Sequence, residues 1–199
     1  MAALLLKKKY LDIKDNMSKI PGDKLDYIVM KVHECMTVEK PLLFLKRCCE
    51  ILVKIYTLGG LKEQLVNEIR GLSVINSINM KLTLMYFIEI VCEFAFDDNL
   101  LIQHSVEMVN IFSNGLKDDN NDVRVSAFKT TTIFLSSITS PVLVNEFTII
   151  LEVLLDKAIE LIQFDQESGV VALESLNELI EAHPKFIKPM LPKMLRMLT

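Results

Sequence analysis

The chain has 199 residues, of which 51% are hydrophobic and 24% charged, with a formal net charge of −4. A mean hydropathy of +0.34 excludes a disordered chain, which lacks apolar surface to bury, and the acidic balance disfavours a nucleic-acid footprint. No apolar run reaches the roughly 20 residues of a membrane helix, since stretches such as LTLMYFIEIV are broken by Glu.

Read in chain order, the opening AALLLKKKY sets its apolar block before its basic one, the reverse of a secretory signal. It reads as the close of an amphipathic helix whose start lies upstream, so a fragment of a longer protein is expected. DKLDYIVMKVHECM places Leu25, Ile28, Val29 and Val32 on one helical stripe. EKPLLFLKRCCEILVKIYTLGG does the same with Leu45, Cys48, Cys49, Leu52 and Tyr56, and stops at Gly59-Gly60. LKEQLVNEIRGLSVI gives Leu61, Leu65, Ile69 and Leu72. NMKLTLMYFIEIVCEFAF is apolar over most of its circumference, as a helix buried on two sides would be. LLIQHSVEMVNIFSNGL, NDVRVSAFKTTTIFLSSI, VLVNEFTIILEVLLDKAIELI and ESGVVALESLNELIEAH each read as one further helix, before PKFIKPMLPKMLRML.

Alternate helices begin near Glu39, Ser77, Asn121 and Glu167, about 40 residues apart, which is the period of two-helix HEAT or armadillo repeats. The expected fold is therefore all-α: a right-handed α-α superhelix of about four to five helix pairs in a single array over 1–199. One repeat ends near 1–10, pairs fall near 22–58, 61–97, 100–138 and 141–183, and a further repeat starts at 184–199. The junction DDNND-VRVSAF supports this. Asp118, Val123 and Arg124 match the Asp-x-x-x-x-Val-Arg pattern that opens the second helix of a HEAT repeat. There the acid meets backbone N–H groups around the turn, the Val enters the core, and the Arg reaches the acid of the next repeat as a charged ladder.

Chemistry-bearing motifs are scarce. Cys35, Cys48, Cys49 and Cys92 contain no CxxC, and His33, His104 and His183 lie far from any cysteine pair, so neither a metal nor another cofactor is expected. Phosphate loops, HExxH and GxSxG are absent, which argues against an enzyme. Charge is uneven: residues 1–99 carry 14 basic and 13 acidic side chains, and residues 100–199 carry 8 and 13. The acidic second half suits either a basic partner or, as is commoner, a simply solvated acidic surface.

Four stretches then resemble the importin-β (karyopherin-β) family of nuclear transport receptors. AALLLKKKY resembles the closing helix of that family's first repeat, LFLKRCCEILVKIY its second repeat's second helix, and NDVRVSAFKTTTIFLSSI its fourth or fifth repeat. ESLNELIEAHPKFIKPMLPKML is the most specific match, similar to a signature of the importin-five (karyopherin-beta-three) and importin-four branch in which Pro184-Lys185-Phe186 and Lys188-Pro189 join two repeats. The resemblance implies binding of the GTPase Ran in its GTP form, of cargo with basic signals and of Phe-Gly nucleoporins, with residence in the cytoplasm and nucleus. The first repeat's opening helix, part of the Ran-binding end, falls before the matching stretch.

Carried onto this chain, the polar positions of the concave second helices are Lys46, Arg47 and Glu50, then Glu89 and Glu93, then Glu174, Glu178 and Glu181 opposite Leu173, Leu176 and Ile180. Phe94, Phe96 and Phe112 offer either a nucleoporin pocket or, more simply, core. The alternative is a HEAT scaffold such as a phosphatase scaffold subunit, whose repeats are more regular and carry the ladder residues in nearly every unit. An importin-α-type armadillo is disfavoured by the lack of Trp. Self-association through exposed apolar ends is also expected.

Overall fold

The computed structural model describes residues 20–36 and 40–193, and every regular element among them is helical. In chain order these are α1 (Gly22–Met36), α2 (Leu42–Leu58), α3 (Lys62–Ser73), α4 (Ile78–Phe94), α5 (Asp98–Gln103), α6 (Ser105–Leu116), α7 (Asn121–Ser137), a 3-10 segment (Leu143–Phe147), α8 (Thr148–Phe164), α9 (Gln166–Ala182), α10 (Pro184–Ile187) and a second 3-10 segment (Lys188–Met190). No described helix is long and apolar enough to cross a membrane. The chain divides into two compact units between Ala95 and Phe96.

In the first unit α2 packs along α4, α1 lies on α2, and α3 touches both α2 and α4. The α2 stripe of Leu45, Cys48, Cys49, Leu52 and Tyr56 is buried, and α4 buries residues around most of its girth, from Met80 to Cys92. Each face buries only against a neighbouring helix, as in repeat proteins. α2 ends where Gly59 N–H returns to Ile55 O at 2.9 Å. Gly60 then takes φ +69°, a left-handed conformation that any side chain would resist. Leu61 departs from the anticipated α3 stripe: it stands just before the helix as its cap and is exposed.

In the second unit α7 packs against α6 and α9, and α8 against α6 and α9. Phe134 of α7 centres an aromatic core, with ring centroids 5.0 Å from Phe112, 5.2 Å from Phe147 and 5.8 Å from Phe96. α8 and α9 meet closely at Gly169, where a Cβ would lie 3.2 Å from Ile162 Cα. Pro184 opens α10 at a position needing no N–H donor, and Phe186 and Ile187 turn inward.

The second helices start at Leu42, Ile78, Asn121 and Gln166. The anticipated start at Glu39 lies outside the described residues. Two stretches expected as single helices are broken. His104 (φ −113°, ψ 19°) separates α5 from α6, and Leu143–Phe147 winds as a 3-10 turn before α8. Both sides of each break keep apolar residues at helical spacing, so periodicity alone finds neither.

Candidate protein-binding surface

Helical register selects the outward residues of α2. With Leu45, Cys48, Cys49, Leu52 and Tyr56 turned inward, Lys46, Arg47 and Glu50 remain half-buried along one edge. Tyr86 of α4 closes that edge. Lys46 Nζ sits 4.6 Å above the Tyr86 ring centroid, a cation–π contact. Arg47 Nη1 donates to Glu50 Oε1 at 2.6 Å, and Tyr86 OH donates to the same oxygen at 3.0 Å. Burial first, and then the Glu50 hydrogen bond, push the Tyr86 hydroxyl up to about 12. Glu89 follows Tyr86 by one turn and is half-buried, and Glu93 is exposed. Two cations, a tyrosine and three carboxylates thus line the α2–α4 edge, an arrangement suited to recognising a charged polypeptide.

A second polar cluster gave no signal in the sequence. Glu68 Oε1 of α3 lies 2.6 Å from His33 Nε2 of α1 and accepts Tyr56 OH of α2 at 2.8 Å. One carboxylate therefore joins three helices. Burial, then Glu68, raises the Tyr56 hydroxyl well above its ordinary range. The cysteines are core residues: burial pushes Cys48 up to about 11, helped by Cys35, and raises Cys49 further. Such thiols stay protonated and unreactive.

In the second unit, the DDNND loop divides its labour among its residues. Asp118 Oδ1 accepts Asn120 N within the turn, but the cap of α7 is Asn120, whose Oδ1 accepts Val123 N at 3.1 Å. Val123 is fully buried, as the pattern requires. Arg124 folds back on its own loop: Nη1 donates to Asp118 O and Asp119 O at 2.9 and 3.0 Å, and Nη2 to Asn121 Oδ1 at 3.1 Å. The step to the next repeat passes through neutral groups instead. Asn121 Nδ2 donates to Ser168 Oγ at 3.4 Å, and Ser168 Oγ donates to Asp165 Oδ2 at 2.8 Å. Asp165 also caps α9 through Ser168 N, and these bonds hold its carboxyl below the usual range.

Glu174, Glu178 and Glu181 are exposed on α9, with Asn177 Nδ2 donating to Glu181 Oε1 at 2.8 Å. The apolar side opposite them is narrower than expected. Leu176 is buried and Ile180 half-buried, but Leu173 is 48% exposed, because Ala172, Leu176 and Leu179 centre the buried stripe and leave position 173 at its rim. Of the phenylalanines, Phe112 is fully buried core, Phe96 packs on Phe134, and Phe94 is exposed. The structure places the α2–α4 residues in one cluster and the α9 glutamates on a separate unit.

A family model described as IPO5-like, TPR repeats matches residues 79–197. The match begins within α4, spans the second unit and stops short of Lys46, Arg47 and Glu50. No curated protein and no solved structure matches the chain.

Proposed function

Because the chain belongs to the family of IPO5-like TPR repeats, we propose that it is a protein-binding repeat segment of a nuclear transport receptor, acting without chemistry of its own. The family match carries the reading, and the partially solvated polar edge of α2 and α4 supports it. The helix starts about 40 residues apart are longer than the usual 34-residue TPR period and closer to HEAT geometry. In this reading Lys46, Arg47 and Glu50 contact Ran in its GTP form, and the α9 glutamates receive a basic cargo segment. Exposed apolar residues of the first helices, Val106 and Ile149 among them, meet nucleoporin phenylalanines. The protein then works in the cytoplasm, the nucleus and the pore between them.

A binding titration with Ran, loaded with a non-hydrolysable GTP analogue or with GDP, tests it at physiological salt. The GTP form is expected to bind at least about tenfold more tightly, and Arg47→Glu to weaken it by a similar factor, as loss of a charge contact does. Equal or absent binding of both forms, by this chain and by a longer natural polypeptide containing it, would leave a plain helical-repeat scaffold as the better reading.

A further inference from the structure

We propose that Ser140 is a phosphorylation site for a proline-directed protein kinase, and that its phosphate releases a link between α5 and the loop that follows α7. The link is the Asp98 carboxylate. It accepts Thr139 N at 3.2 Å and the Thr139 hydroxyl, tying the first turn of α5 to the loop. Ser140-Pro141 comes next in that loop. Thr139 and Pro141 are exposed, Val142 is 72% exposed, and Ser140 is half-buried. The chain leaves α7 extended at Ile138 (φ −69°, ψ 119°), the backbone form in which kinases take a peptide. Pro141 has no N–H to surrender. Straightening the loop costs the Asp98 bonds to Thr139 and nearby turn bonds, chiefly Leu143 N and Val144 N to Ser140 O at 3.1 and 3.2 Å.

In the reaction Ser140 Oγ attacks the γ-phosphorus of ATP. The new O–P bond forms as the bond to the bridging oxygen breaks, ADP leaves with that electron pair, and the hydroxyl proton passes to the kinase base. The product carries a charge of about −1.5 to −2, one residue from the groups that hold Asp98. No Lys or Arg occurs in sequence between Lys129 and Lys157 to neutralise it locally. Like-charge repulsion then favours release of the Asp98 carboxylate.

The test treats the folded chain with a purified proline-directed kinase and ATP, then maps phosphate by mass spectrometry and amide hydrogen exchange across 97–103 and 138–140. One phosphate on Ser140 is expected, absent from Ser140→Ala and Pro141→Ala, with exchange in both segments faster by about tenfold as local opening becomes easier. Asp98→Asn, already lacking the charged link, should exchange fast beforehand and gain little on phosphorylation. Failure to modify Ser140 in the folded chain overturns the site, most plainly if a peptide of residues 134–146 is modified by the same kinase. Modification with unchanged exchange overturns the release.

Discussion

At Tyr86 the character of the first unit's surface depends on one shared carboxylate oxygen, Glu50 Oε1, which receives both Arg47 and the tyrosine hydroxyl. Tyr86 is raised in the folded state from 10.0 to about 12. A raised folded value stabilises the fold fully below the unfolded pKa and loses that contribution as pH climbs through the folded one. Stability should therefore fall between about pH 10 and pH 12, and Tyr56, shifted in the same direction, adds to the loss. Glu50→Gln should bring the Tyr86 titration, read by phenolate absorbance, back toward 10. A titration unchanged by that substitution would mean that burial alone sets it. Gly169 gives a second residue-scale expectation. Its absent Cβ lets α9 approach Ile162, so Gly169→Ala should cost about 1–3 kcal/mol in urea unfolding, as overpacking does. Helical spacing marked the buried stripe of α2, and the family resemblance, not the spacing, singled out Lys46, Arg47 and Glu50, which lie half-buried beside it. Tyr86, 36 residues beyond Glu50, was not legible, because sequence shows which side of a helix faces out but not which helix lies alongside. Glu68 was hidden for the same reason.

At the scale of elements, the second helices were legible because their starts carry chemistry as well as periodicity. Asn120 and Asp165 each stand just before a helix and accept its third N–H, as capping residues do. Asn120→Ala should cost about 0.5–2 kcal/mol and speed hydrogen exchange in the first turn of α7. No change in either would show that the DDNND turn holds without its cap. The breaks at His104 and Leu143–Phe147 were illegible, since both sides of each remain apolar and helical in pattern. Arg124 was misread in direction: its spacing allows a reach to the next repeat, but the carbonyls of Asp118 and Asp119 in its own loop lie within reach and take its guanidinium.

At the scale of the molecule, repeats bury their faces only against neighbours, so a stretch of them can hold a core of its own. The aromatic cluster of Phe96, Phe112, Phe134 and Phe147 lies within residues 96–199. That segment, expressed alone, should show a helical circular-dichroism spectrum and a cooperative thermal transition; a gradual, non-cooperative melt would mean its core depends on the first 95 residues.

The Asn121–Ser168 step described above bears on how such a segment would answer to salt. Counter-ions screen exposed charges beyond a Debye length of about 8 Å at physiological ionic strength, and at shorter range as salt rises, but an amide handing a hydrogen to a hydroxyl offers them little to screen. Rising salt would then weaken the binding of a basic segment proposed for the glutamates of α9, while the Asn121–Ser168 contact beneath would change little, so that grip and framework answer to different solvents.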